Sequence, residues 1–354
     1  MSLLRLPPEM LAQIFDKLGS AFFREDLGRL TVCKLWLEFA LPAFFNDVIL
    51  SQEKLRCLIT SGVMKKPSPL NRSLATLNIE LGGYQHPCSS TSDPQENAQE
   101  SNASNSISSN ESLEDISITT WINDLNDDLA QLATIAQQSR RLRTLYIRAR
   151  SAPSPDLLHD PVDYLSPYTI RNFLSVENLK VLVLDLPVNF LNSLGEEGKD
   201  LHICPTIGAL LPTLDTLHIR MRSICSDVLK PPDSDDKLRL SAVVINMSLI
   251  TSQPEVTSAA HARPCGVLTG GLLQLRADMQ EQAEALAARM TSPKTVRVLT
   301  HLLPVFETHS FDVLTGKTMK LDDDAAWDED GETVREYSGP KSEISDDDSS
   351  FFDD

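Results

Sequence analysis

The sequence predicts a mixed α/β protein, a short helical unit at the N-terminus followed by a row of strand–helix repeats. Three observations predict it. Residues 6–40, LPPEMLAQIFDKLGSAFFREDLGRLTVCKLWLEFA, place apolar side chains at helical spacing in three short stretches. The pattern L-x-x-L-x-[IL] then recurs along the chain, each copy ending in strand-like alternation. Runs with helical spacing fill the intervals between copies.

In the first stretch, Pro8 and Glu9 suit a first helical turn, since proline needs no N–H partner there and an acid complements the positive helix end. Leu11, Ile14, Phe15 and Leu18 make one stripe, and Gly19 supplies the stop. A second short helix is expected from about Arg24 to Leu30. A third runs from about Val32 to Phe44, with Leu35, Trp36, Phe39 and Ala40 on one side. Three helices this short hold more apolar stripe than they can hide from one another. Either they pack on the rest of the chain as an ordinary helical subdomain, or they keep a face for a partner.

The residues themselves bear on that choice. The Leu-Pro-x-Glu opening at Leu6, the acidic REDLGRL and the Val-Cys-Lys-x-Trp from Val32 to Trp36 resemble, in order and spacing, the F-box, over about residues 3–50. The resemblance implies docking on a Skp-type adaptor and, through it, a cullin–RING ubiquitin ligase. By position, Leu6, Pro7, Ile14, Leu18, Leu30, Val32, Cys33 and Trp36 would face the adaptor or brace the residues that do. Leu11, Phe15 and Phe39 are expected to pack within the unit, and Cys33 reads as a small apolar residue rather than a reactive thiol.

The repeat stands at Leu74/Leu77/Ile79, Leu142/Leu145/Ile147, Leu179/Leu182/Leu184 and Leu214/Leu217/Ile219, with a weaker copy at Leu240/Val243/Ile245. Its interval is 37 residues from Leu145 to Leu182 and 35 from Leu182 to Leu217, but 68 from Leu77 to Leu145. That long interval contains residues 82–112, which hold 9 Ser and 4 Asn and almost nothing apolar. Such a segment cannot offset its ordering entropy by burial, so a disordered insertion is expected there. Removing its 31 residues restores an interval of 37. Helical runs precede the later strands at residues 118–142, 166–174 and 202–211.

Strand plus helix at a fixed period resembles a leucine-rich-repeat solenoid, in an irregular, degenerate version as seen in F-box proteins of filamentous fungi. The intervals exceed the usual 20–29 residues. The position that should carry Asn or Cys holds Gly82, Arg150, Pro187, Arg222 or Ser248 instead. An unrelated α/β domain with Leu-rich parallel strands is the alternative. If the solenoid holds, the strand period turns the Leu and Ile inward and lines the other face with the residues between them. Those are Asn78 and Glu80, Tyr146 and Arg148, Val183 and Asp185, His218 and Arg220, Val244 and Asn246. Tyr146, Arg148, Asp185, His218 and Arg220 are the expected target-binding row, with Arg148 and Arg220 flanking Asp185.

Beyond the repeats, residues 270–293 read as a helix and HSFDVLTGKTMKL as a β-hairpin turning at Thr315-Gly316. Residues 322–354 hold 14 acidic against 2 basic residues, which accounts for 12 of the chain's 18 net negative charges. A mobile acidic tail is expected there, with Ser342 and Ser345 as candidate phosphorylation sites. The expected organisation is thus residues 1–50, 51–321 with the insertion at 82–112, and 322–354.

The charge disfavours nucleic acid as a partner. The six cysteines are scattered with no Cys-x-x-Cys pair, which argues against a zinc site or a disulfide framework and fits a reducing compartment. There is neither a signal peptide nor an 18-residue apolar run, so a cytoplasmic or nuclear protein is expected. No motif for a metalloprotease, a serine hydrolase or a phosphate-binding loop is present. The reading is a non-catalytic substrate receptor of a Skp–cullin–F-box ligase, without cofactor or metal, whose target the sequence does not name. An F-box scaffold that does not direct ubiquitylation, or an enzyme with an unrecognised site, are the alternatives.

Overall fold

The structure, a computed structural model, describes residues 6–61, 69–84, 108–150, 163–189, 191, 193–194, 200–232, 236–249, 260–266, 271–302, 307–322 and 325–334. It is a mixed α/β protein with eight α-helices and one large, mostly parallel sheet among the described residues.

Helix α1 spans Pro8–Glu25 and is broken where the sequence expects a stop, at Gly19 (φ 71°, ψ 175°). The chain resumes helix from Ser20, so the second expected helix is displaced. Its place holds the end of α1 and a 3₁₀ turn at Leu27–Leu30, capped by the Asp26 carboxylate, which accepts from the Gly28 N–H at 2.8 Å. Helix α2 is Lys34–Phe44. Leu11, Phe15, Phe23, Ala40 and Ala43 close a small core between these elements, and the Trp36 ring stands edge-on to Phe15 at 4.6 Å.

Strand β1 (Asp47–Ser51) begins inside the stretch assigned to the helical unit and pairs in parallel with the next strand, so the sheet starts at Asp47. The further helices are α3 (Gln52–Thr60), α4 (Pro69–Ser73), α5 (Ser108–Gln138), α6 (Pro167–Leu174), α7 (Cys204–Gly208) and α8 (Gly271–Arg289). The further strands are β2 (Thr76–Leu81), β3 (Thr144–Ala149), β4 (Val181–Leu186), β5 (Ser193–Leu194), β6 (Asp200–Leu201), β7 (Thr216–Met221), β8 (Ser223–Ile224), β9 (Ala242–Asn246), β10 (Arg263–Pro264), β11 (Thr295–Leu302), β12 (Glu307–Asp312), β13 (Lys317–Leu321) and β14 (Glu332–Thr333).

The main sheet runs β1-β2-β3-β4-β7-β9-β11-β12-β13-β14, parallel up to β11 and antiparallel thereafter. The repeat pattern explains the register. Leu77, Leu145, Leu182, Leu217, Val243 and Val296 are successive partners across six strands. Ile79, Ile147, Leu184, Ile219, Ile245 and Val298 form a second such ladder. Both ladders are buried against helices α3 to α8 in one continuous core. A slip of one residue would turn every one of these side chains to the other face, so burial fixes the register.

The expected insertion is narrower than its composition suggests. Residues 85–107 of it lie outside the described residues, but Ser108 to Ser112 already belong to α5. At the other end the Tyr84 ring packs on Trp121, 5.4 Å between centroids. The acidic tail is also shorter than expected. Trp327 and Ala325 pack against Val244, Leu299 and Leu321, and β14 pairs with β13. Residues 335–354, with Ser342 and Ser345, lie outside the described residues. The hairpin forms as expected, β12 and β13 turning at Gly316 (φ 68°). No helix among the described residues is long and apolar enough to cross a membrane.

Candidate functional site

Three regions carry chemistry beyond packing. The first is the surface of the N-terminal unit made by α1, the 3₁₀ turn, α2 and the residues that lead into them. Leu6, Leu18, Leu27, Val32 and Leu35 are exposed, Val32 by 61% and Leu27 by 59%, above a core already closed by Leu11, Phe15 and Phe23. Exposed apolar side chains gathered on one small unit mark a surface that another chain can cover. Pro7 is exposed as well, and Ile14 is half-buried. Leu30 and Trp36 pack against the small core, so they brace the surface more than they form it. Trp36 donates its indole N–H to the Arg29 carbonyl at 2.5 Å, tying α2 to the 3₁₀ turn. Cys33 is half-buried, and its Sγ accepts from the Trp36 backbone N–H at 3.4 Å; it caps α2, a role the reading as a plain apolar residue missed. Met10, Leu27 and Leu35 are exposed members that the motif did not single out as facing a partner.

The second region is the sheet face opposite the helices. Tyr146, Val183 and His218 are partners in one row, and Arg148, Asp185 and Arg220 in the next. The strand period therefore brings the five expected target-binding residues together. Their exposure differs from the expectation. Asp185 and Arg220 form a two-pronged ion pair, Nε to Oδ1 at 2.6 Å and Nη2 to Oδ2 at 2.9 Å, and are only 6% and 9% exposed. The Arg220 guanidinium lies over the Trp327 ring, 5.0 Å from its centroid. Arg297 holds the segment that carries Trp327 through the Glu329 carbonyl and the Asp330 carboxylate. His218 is half-buried and its Nε2 has no hydrogen-bond partner among the described residues; burial pushes its pKa down, against the opposing pull of Asp328. Arg148 is exposed and Tyr146 half-buried. Arg148 and Arg150 line a cleft of about 480 Å³ with Glu53, Glu80, Tyr84 and Trp121, where the carboxyl ends of β1, β2 and β3 meet.

The third region was missed. His202, Cys204, Cys225 and Cys265 converge, their donor atoms all within 4.8 Å of one another. Cys204 opens α7, Cys225 follows β8 and Cys265 follows β10. Strands β8 and β10 pair with Pro264 opposite Ile224, so the next residues along, Cys265 and Cys225, emerge side by side. Gly208 lets α7 press on the turn after Cys225. A side chain there would stand 2.5 Å from the Lys230 carbonyl oxygen and 2.6 Å from that of Asp227. The Cys204 and Cys265 sulfurs are 3.7 Å apart, and Cys225 Sγ lies 3.8 Å from His202 Nδ1. Hydrogen bonds from the Cys204 and Cys265 thiols hold Cys225 far below the usual thiol range, while the contact with Cys225 pushes Cys204 well above it. Scattered cysteines therefore do not stay apart in the fold. Only the His-x-Cys at 202–204 hinted at the cluster locally, because 21 and 40 residues separate the remaining ligands.

Comparison with known proteins finds no matching family model and no matching curated protein.

Proposed function

We propose that the chain is the substrate-recognition subunit of a Skp–cullin–F-box ubiquitin ligase, acting in the cytoplasm or nucleus. In this reading residues 6–46 are an F-box, and Leu6, Pro7, Leu18, Leu27, Val32 and Leu35 meet the adaptor, with Ile14 at the edge. Leu30, Cys33 and Trp36 hold that face in shape. The sheet and its helices form a degenerate leucine-rich-repeat domain that holds the target protein. Arg148 and the partly accessible Tyr146 are its first contacts. The chain contributes proximity and no acid, base or nucleophile: tethering raises the effective concentration of target lysines at the conjugating enzyme.

One observation carries this reading. The exposed apolar side chains of the N-terminal unit, from Leu6 through α1, the 3₁₀ turn and the start of α2, lie outside a core that is complete without them. Fully burying an exposed Leu or Val side chain is worth about 1.5–3 kcal/mol, and these five are already partly covered. Together they supply an apolar centre for an interface whose polar rim must help to offset the roughly 4–15 kcal/mol cost of association.

The test is reconstitution from purified parts. The tagged full chain is mixed with a Skp-type adaptor and a cullin, and the retained proteins are identified. Retention of both supports a ligase receptor. Retention of the adaptor without the cullin points to the scaffold reading, and retention of neither removes the proposal.

A further inference from the structure

We infer that His202, Cys204, Cys225 and Cys265 form a structural zinc site that pins three separate loops beside the sheet. The donor set is one imidazole nitrogen and three thiol sulfurs. Zinc accepts such Cys₃His sets in tetrahedral structural sites, and sulfur-rich ligation disfavours calcium, magnesium and manganese.

The distances fit the ion. Zinc–sulfur bonds of about 2.3 Å at tetrahedral angles place two ligand sulfurs about 3.8 Å apart. Cys204 and Cys265 stand at 3.7 Å. With a zinc–nitrogen bond of about 2.0–2.1 Å, the sulfur–nitrogen edge is about 3.5–3.6 Å. Cys225 and His202 Nδ1 stand at 3.8 Å, a few tenths outside it. The same sulfur–sulfur distance is far too long for a disulfide, whose bond is about 2.05 Å. Four protein donors fill the tetrahedron, so no position is left for water or substrate. The role is therefore structural and independent of the ligase reading.

Burial favours occupancy. Cys204 is inaccessible, Cys225 and Cys265 nearly so, and the loops carrying them are already aligned by the β8–β10 pair and by the close approach at Gly208. The ligands are thus held near their bound positions. In the bound site all three sulfurs are thiolates, any thiol protons having passed to solvent, and the imidazole is neutral; three thiolates and Zn²⁺ leave a net charge of −1 at the site. The His202 backbone is fixed in turn by Arg171, whose guanidinium donates to the His202 carbonyl at 3.0 Å. Such a clamp would join the segment after β6 to those after β8 and β10, three connections that pack on the Leu-rich core through Ile203, Val228 and Cys265 itself.

The experiment is elemental analysis of the full chain, expressed with added zinc and purified without chelator. About one zinc per chain is expected, and Cys57→Ser, which alters an exposed cysteine outside the cluster, should keep it. Cys225→Ser and Cys265→Ser should lower the zinc content at least tenfold. Should those variants fail to fold, the wild-type chain decides alone. Chelation should lower its melting temperature, and restoring zinc should raise it again by about 5 °C or more. Cobalt in place of zinc should give the intense visible absorption of a tetrahedral thiolate site. A folded chain without zinc whose melting temperature ignores added zinc would overturn the assignment. So would copper in zinc's place, a Cys204–Cys265 disulfide, or undiminished zinc after all four ligands are replaced.

Discussion

Asp185 on β4 and Arg220 on β7 face each other as register partners and share two hydrogen bonds, at 2.6 and 2.9 Å, with the Arg220 guanidinium stacked on the ring of Trp327. An ion pair this buried repays its desolvation only while both partners are present. Asp185→Ala or Arg220→Ala alone should therefore lose about 3–5 kcal/mol in urea unfolding, whereas Asp185→Leu with Arg220→Met should lose less than either. Single-variant losses under about 1 kcal/mol would show that the pair is effectively solvated.

The Leu and Ile ladders make a second prediction. Leu145 is fully buried between Leu77 and Leu182 in the register, while Glu80, on the other face of β2, is exposed to solvent. Leu145→Ala should cost about 2–5 kcal/mol. Glu80→Ala should stay within about 0.5 kcal/mol. Equal effects would contradict the assigned faces.

His218 makes stability depend on pH. Burial holds its folded pKa below the ordinary value of 6.5, with Asp328 opposing. As pH falls through about 6.5, the unfolded chain takes up this proton before the folded one does. The contribution is therefore complete above that pH and is lost progressively as pH drops toward the folded value. Between pH 7.5 and 5.5 the urea midpoint should fall, and it should fall less in His218→Gln. An identical drop in both proteins would remove His218 from the account.

Trp327 closes the far side of the sheet over Val244, Leu299 and Leu321. A fully buried Trp→Ala change costs about 3–5 kcal/mol; Trp327 is half-buried, so about 2 kcal/mol is expected from Trp327→Ala. The variant should also make Arg220 and Asp185 more accessible, read as faster hydrogen exchange in β4 and β7. Unchanged exchange there would mean that the ring shields nothing.

How much of this was legible depends on the range of the signal. The ladders were, because each strand repeats one pattern and a parallel sheet aligns like with like. The Asp185–Arg220 pairing was legible for the same reason, through the strand period. Its burial was not, since Trp327 sits among seven acidic residues from Asp322 to Glu332 whose composition reads as a solvated tail. The Cys₃His cluster was illegible because its ligands meet only after β8 and β10 pair and α7 packs on the turn after Cys225. Composition likewise misplaced the start of α5, where Ser and Asn obscure a helix that tertiary packing holds further along at Leu125, Leu129 and Leu132.

The most direct measurement is calorimetric titration of the full chain with a purified Skp-type adaptor, wild type against Leu18→Glu with Val32→Glu. Both side chains are exposed, so the fold should survive the changes. The wild type should bind, and the double variant should bind at least a hundredfold more weakly at an unchanged melting temperature. Equal affinity of the two, or no binding by the wild type, would contradict the assignment of this face.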